Sequence, residues 1–198
     1  MSMSRQIILL ATLLSLLYSH VVLAAAENIS KYKGQQNRVI KSLSKDDIQQ
    51  LKQGKGWGMA KAAELNGVPG PVHLLQMKQQ IALSKVQIIK IKSIFKDMQS
   101  KAIPLGKKLI QLEQKLNDSF VSRNITAESL SHQLDGIARV TKELRYVHLV
   151  AHLATPSILS EFQIIKYNKL RGYGDGDPCK NIPIGHNEDL WKKHNNCS

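Results

Sequence analysis

Residues 83–120 read LSKVQIIKIKSIFKDMQSKAIPLGKKLIQLEQKLNDSF, and this stretch predicts one long helix. Apolar side chains recur along it in steps of four and three, which is the spacing of a helix face that packs on a partner helix. Ser84 is typical of a helix cap, and Pro104 predicts a kink because proline removes one helical hydrogen bond. The seam consists of Ile91, Phe95, Met98, Ala102, Leu105, Leu109, Leu112, Leu116 and Phe120.

A second seam of the same kind follows a turn. Arg123-Asn124-Ile125-Thr126 forms that turn, and Thr126 is a suitable cap for the next helix. The helix should end at Thr155-Pro156, since the residue before a proline avoids helical backbone. Two long seams predict that the two helices pack on each other. The second seam consists of Leu130, Leu134, Ile137, Thr141, Leu144, His148 and Ala151.

Three shorter helices are expected around this pair. One should span Ser44 to Gln53 with Ser44 as its cap, and another should begin at Pro71 and run through Met77 and Ile81. A final helix should open at Ser160 and run through Leu170, with Gly172 ending it. No segment alternates polar and apolar residues with period two, so strands are not expected. The predicted fold class is therefore all-α.

The start of the chain has the pattern of a secretory signal peptide. Arg5 precedes an apolar run, and small residues close the segment at Ala24 to Ala26. A retained membrane anchor is the lesser alternative, because Ile7 to Ala26 is just long enough to span a bilayer. The expected organisation is a signal peptide at 1–26, a segment with a short helix and a flexible glycine-rich linker at 27–70, a helical domain at 71–173 and an irregular tail at 174–198.

Charge restricts the partners. The chain holds 28 Lys and Arg against 15 Asp and Glu, and loss of Arg5 with the signal peptide leaves a formal charge of +12. A protein this basic attracts anionic partners. Nucleic acid is not expected, because export separates the chain from it and the lysines lack an aromatic stacking platform.

The two cysteines lie in the tail. Cys179 and Cys197 can pair in an oxidising compartment, which agrees with export. A metal site is the rival interpretation, since His186 and His194 lie between them. The disulfide is favoured because the spacing does not match a standard zinc pattern.

Two helix starts share the pattern Leu-Ser-x-x-Gln. In each copy the hydroxyl caps the helix and the glutamine reaches back as in a capping box. This resembles the doubled Leu-Thr-x-x-Gln motif of the Spy/CpxP family of periplasmic stress proteins and heavy-metal sensors, with serine in place of threonine. Residues 63–71 and 170–173 also resemble segments of its sensor-like members. The motif residues are Leu83, Ser84 and Gln87 in the first copy and Leu159, Ser160 and Gln163 in the second.

The resemblance implies a fold and a class of partner. It implies a long kinked helical hairpin with two shorter helices, assembled as a curved homodimer. Members of the family bind partly unfolded periplasmic proteins or transition metals. No nucleotide, phosphate-loop, zinc-protease or serine-hydrolase motif occurs in the chain, so an enzyme is not expected.

Two helical pairs are candidate metal ligands. His73 with Met77, and His148 with His152, are each spaced by four residues and so share a helix face. Nickel, cobalt, copper or zinc would suit these ligands. The family's sensors add a carboxylate early in the long helix, where this chain has only Asp97. The alternative is that His148 is a hydrogen-bonded core residue and Met77 fills a gap.

Two functions follow from these observations. The first is an ATP-independent chaperone that needs no cofactor and holds unfolded or acidic envelope proteins on the exposed face of the long helix. The second is a periplasmic heavy-metal sensor or buffer that signals to a membrane-bound partner. The candidate client-binding residues are Lys90, Lys92, Lys96, Lys101, Lys107 and Lys108.

Overall fold

The structure, a computed structural model, describes residues 29–173, 179, 182, 187–194 and 197. The chain divides into two compact units, Met1–Lys41 and Ser42–Ser198. In the first unit the described residues form turns and a 3₁₀-helix at Gln35–Asn37. The described residues of the second unit form α1 (Lys45–Lys52), α2 (Lys61–Glu64), α3 (Pro71–Gln76), α4 (Lys85–Val121), α5 (Ala127–Leu153), α6 (Glu161–Leu170) and α7 (Glu188–His194).

The all-helical prediction is confirmed, since none of the described residues lies in a strand. The long helices α4 and α5 pack on each other as a hairpin. The buried part of their seam is shorter than expected. Phe120 is 57% exposed and Leu134 is 46% exposed, so no element among the described residues covers these two side chains near the turn. The buried seam consists of Ile91, Met98, Ala102, Leu109, Val140, Leu144, His148 and Ala151.

The predicted helix caps are confirmed. Ser44, Ser84, Thr126 and Ser160 each accept a hydrogen bond from the backbone N–H three residues on, and in each case that residue's side chain bonds back to the cap. Such a cap is worth about 1 kcal/mol of helix stability, because it satisfies donors that the first turn leaves unpaired. These local signals therefore define where four of the helices begin.

The prediction that the α3 helix runs through Ile81 is wrong. It ends at Gln76, and Met77 has a non-helical backbone with φ −100° and ψ 17°. The turns that follow bring Ile81 and Leu83 into the core, where both are buried. A continued helix would place Leu83, nine residues after Leu74, on the face opposite Leu74. The core cluster they join consists of Leu74, Ile81, Leu83, Ile91 and Tyr167.

The glycine-rich segment after α1 makes specific contacts instead of acting as a free linker. Trp57 donates from Nε1 to Asp47 Oδ1 at 2.8 Å. Gly54 is buried with φ 62°, and a Cβ at this position would lie 3.0 Å from Ile103 Cγ1 on α4. Glycine is needed here because other residues rarely adopt this φ.

The tail is more regular than predicted, because its described residues include helix α7. Cys179 and Cys197 form a disulfide with a Cα to Cα distance of 5.4 Å. The predicted signal peptide and His186 lie outside the described residues. Among the helices that the structure describes, none is long and apolar enough to cross a membrane.

Candidate functional site

The two Leu-Ser-x-x-Gln motifs lie side by side. Gln87 Nε2 donates to Gln163 Oε1 at 2.8 Å, and Gln163 Nε2 donates to Gln87 Oε1 at 3.1 Å. The same amide nitrogens donate to backbone carbonyls across the junction, Gln87 to Ile158 at 2.8 Å and Gln163 to Ala82 at 3.3 Å. The motif glutamines therefore join the N-terminus of α4 to the N-terminus of α6, in addition to completing the two caps.

Three of the four predicted metal ligands line one cavity of about 630 Å³. His148 and His152 reach it from α5, where both are buried, and His73 reaches it from α3. Met77 does not, because the chain leaves the helix there and Met77 packs against the core cluster. Met98 of α4 lines the cavity instead. The four-residue spacing thus predicted that the two α5 histidines lie at one cavity. The same spacing did not place Met77 beside His73 at that cavity, because the helix ends before Met77.

The carboxylate at this cavity is Glu64, which the sequence did not indicate as a ligand. Glu64 Oε1 lies 3.5 Å from His73 Nε2. It also accepts hydrogen bonds from Arg171, through Nη2, and from Tyr173, whose hydroxyl is 3.0 Å away. Asp97 does not line this cavity and pairs with Lys101 at 2.7 Å. The two short segments that carried part of the family resemblance, 63–71 and 170–173, therefore meet in space.

Burial and hydrogen bonding set the charge states here. Burial alone would raise the pKa of the Glu64 carboxyl. The hydrogen bonds from Tyr173 and Arg171, together with the positive charge of Arg171, outweigh burial, so the pKa of Glu64 is lowered overall. Burial lowers the pKa of His148 to about 4, with a further contribution from His152. Burial also lowers the pKa of His152. At neutral pH, Glu64 is ionised and His148 is neutral.

His152 also anchors the loop that precedes α3. Its Nδ1 donates to the Val68 carbonyl at 2.9 Å, a direction set by the carbonyl, which can only accept. Thr155 Oγ1 donates to the next carbonyl, that of Pro69, at 2.5 Å. A Cβ at Gly70 would lie 2.5 Å from His152 Nε2, so only glycine allows this approach. One of the candidate ligands therefore already has a structural role.

His148 differs from His152, because its Nε2 is buried without a hydrogen-bond partner in the described structure. The structure describes no group of three or more His, Cys, Asp or Glu side chains arranged to hold one metal ion.

A separate apolar groove lies between α4 and α5. It consists of two adjoining cavities of about 240 and 540 Å³ that share Lys101, Tyr146 and Val147. Tyr146 is 66% exposed and Val150 is 38% exposed. The remaining apolar lining consists of Ile94, Met98, Leu105, Ala151 and Ala154.

The six predicted client-binding lysines are all exposed, but they do not form one face of α4. Lys101 lines the groove. Lys90 lies eleven residues before Lys101, and Lys108 lies seven residues after it. Both separations are close to whole numbers of helical turns, so these three lysines lie on the same side of α4. By the same geometry, Lys92, Lys96 and Lys107 lie on the other side of the helix. From the sequence, all six lysines were expected on one exposed face of the long helix.

Comparisons of this chain with protein-family models, curated proteins and solved structures find no match.

Proposed function

We propose that this protein is a Spy/CpxP-like, ATP-independent periplasmic chaperone that holds unfolded, acidic envelope proteins in the groove between α4 and α5. The observation that carries the proposal is the groove itself. Its lining is largely apolar, and none of the residues that the structure describes covers it, so a large aromatic side chain is exposed at its centre. An apolar groove with an exposed aromatic side chain offers a contact surface for the apolar segments of an unfolded chain.

Charge contributes at long range and apolar contact at short range. The lining carries Lys101 and Lys142 against Asp97 and Glu143, so it has little net charge of its own. The chain as a whole is strongly basic, with a formal charge of +13 before any cleavage. Long-range attraction therefore speeds the encounter with acidic segments, and the apolar lining then binds them without reading a particular sequence. This combination suits weak binding to many different clients.

Serine substitution of both Tyr146 and Val150 tests the groove. The purified protein at equimolar ratio is expected to slow the aggregation of reduced α-lactalbumin, an acidic client, as followed by light scattering. The double variant should lose most of this effect because it removes the apolar contact. The matched control replaces Phe120 and Val121 with serine, since this pair is also aromatic plus valine and is exposed at 57% and 69%.

Equal loss of activity in both double variants would show that general surface hydrophobicity matters and the groove does not. A second outcome also counts against the proposal. If Tyr146→Ser with Val150→Ser converts a homodimer to a monomer in analytical ultracentrifugation while aggregation is still suppressed, the groove is an interface between two copies and clients bind elsewhere.

Heavy-metal binding is the second candidate, favoured by the gathering of His73, His148, His152 and Glu64 around one cavity. A metal would need to draw these side chains closer together than the described structure has them. Calorimetric titration with nickel, cobalt, copper and zinc tests this. Stoichiometric binding that disappears in the His148→Ala, His152→Ala variant supports a sensor or buffer. If neither protein shows heat of metal binding, these histidines have structural roles.

A further inference from the structure

The Leu-Ser-x-x-Gln motif is the start of a longer internal repeat. Residues 83–90 read LSKVQIIK and residues 159–166 read LSEFQIIK. The hydrogen bonds between the two copies are reciprocal. Each glutamine donates to the other glutamine, and each also donates to the carbonyl five positions before the other. The two helix starts are therefore related by a local two-fold axis, and equivalent residues flank the glutamine pair on either side.

The repeat also duplicates apolar side chains that contact little else. The residue before each motif glutamine is apolar, with Val86 61% exposed and Phe162 70% exposed. The second isoleucine of each copy is similar, with Ile89 67% exposed and Ile165 59% exposed. None of the three cavities described above includes any of these four residues. These side chains therefore project from the surface and do not line a groove.

Lysines are interleaved with the projecting apolar residues. Each lysine lies three or four residues along the helix from one of them, and so shares its side of the helix. None of these lysines has an ion pair with a residue that the structure describes. In residues 85–93 of α4 and in α6, the one acidic residue is Glu161. This end of the molecule is therefore positively charged. The lysines are Lys85, Lys90, Lys92, Lys166 and Lys169.

Projecting apolar side chains with lysines between them are typical of helices that lie at a membrane interface. The apolar groups enter the boundary between headgroups and acyl chains. Lysine ammonium groups stay at the headgroups, because their flexible apolar stems can reach back to them. Small ligands and bound peptides are usually held in pockets or grooves instead. Shape and charge together therefore favour an anionic lipid surface as the partner.

We propose that this end of the molecule docks on an anionic lipid surface, with the apolar residues of the repeat in the boundary layer and the five lysines at the headgroups. Phe162 makes the largest apolar contribution, because it is the aromatic residue of the four and the most exposed. The client groove between α4 and α5 includes none of these residues. Membrane docking and client binding therefore use separate surfaces.

Tryptophan fluorescence tests insertion at position 162. Phe162→Trp is compared with Phe120→Trp, because both phenylalanines are exposed and each variant adds one tryptophan to the same two, Trp57 and Trp191. Vesicles of phosphatidylglycerol brominated in the acyl chains should quench the added tryptophan at 162 and not the one at 120. Vesicles of brominated phosphatidylcholine should quench it much less at low salt, because they carry no net charge.

Vesicle sedimentation assigns the binding to residues. Phe162→Ser with Ile165→Ser should weaken binding to phosphatidylglycerol vesicles at least about tenfold, the value of burying one large apolar side chain. The matched control, Phe120→Ser with Val121→Ser, should keep the parent affinity. All four positions are exposed, so the fold does not depend on them.

Charge is tested in the same assay at low salt. Lys169→Gln should weaken vesicle binding about fivefold, since each lysine near an anionic membrane contributes a similar increment. Lys107→Gln makes the same charge change at an exposed position away from the repeat, and should have no such effect.

Equal quenching at positions 162 and 120, or none at 162, would overturn the proposal. Vesicle binding that is unchanged in the Phe162→Ser, Ile165→Ser variant would overturn it as well. The same variant is followed by analytical ultracentrifugation, and loss of a homodimer would show that a second copy covers this face instead of lipid. The aggregation assay uses no lipid and reads the α4–α5 groove, so the chaperone proposal is tested separately.

Discussion

Replacing Gly106 with alanine is expected to lower the free energy of unfolding by about 2 to 3 kcal/mol, as for an overpacked core position. Gly106 lies inside α4 and is buried against α1. A Cβ there would lie 2.2 Å from the Leu51 carbonyl oxygen and 2.9 Å from its carbonyl carbon. Both atoms are backbone, so no side chain can rotate away and α1 itself must move off α4.

Gly136 supplies the matched control for urea denaturation of the two variants. It lies inside α5, and a Cβ there would be 3.8 Å from the nearest atom of Leu112, an ordinary contact. Gly136→Ala should therefore raise stability by about 0.5 to 1 kcal/mol, because alanine favours helix over glycine. If Gly106→Ala is also stabilising, α1 does not pack closely on α4 at this point.

The free energy of unfolding should also fall by about 3 kcal/mol between pH 6.5 and pH 4 because of His148. Burial lowers its pKa to about 4 in the folded protein, against an ordinary value of 6.5. Between these values the unfolded chain binds the proton and the folded chain does not, so acid favours unfolding. Stability from this group is complete above pH 6.5 and is lost as the pH falls towards 4. The lowered pKa of His152 acts in the same direction.

Denaturant titrations across this pH range isolate the effect. His148→Leu keeps the site apolar and cannot titrate, so its stability should depend less steeply on pH than that of the parent protein. His132→Gln, a histidine substitution at an exposed position on α5, is measured alongside as the matched control. Parallel curves for the parent and the His148→Leu variant would contradict the lowered pKa.

The features that the sequence predicted correctly are those encoded by neighbouring residues. Ser84 and Ser160 cap their helices through a glutamine three residues on, and that chemistry is readable in a five-residue window. The same locality explains why the histidine pair on α5 was found. Helical spacing of four residues forces His148 and His152 onto one face.

The features that it missed depend on residues distant along the chain. Glu64 and Arg171 are 107 positions apart, and no local pattern pairs them. The close approach of α1 to Gly106 could not be predicted from the sequence either, because a glycine inside a helix can also mark a flexible point. Met77 packs against the core, as in the alternative to a ligand role, because the turns that bury Ile81 and Leu83 set the end of α3. Tertiary packing overrode helical periodicity there.

Photo-crosslinking shows where a client touches the hairpin. A photo-reactive benzoylphenylalanine at position 146, inside the groove, is compared with the same group at position 120, which is similarly exposed near the hairpin turn. The chaperone account predicts that reduced α-lactalbumin crosslinks strongly at 146 and weakly at 120, with native α-lactalbumin crosslinking at neither. Crosslinking that is equal at the two positions, or present only at 120, would contradict it.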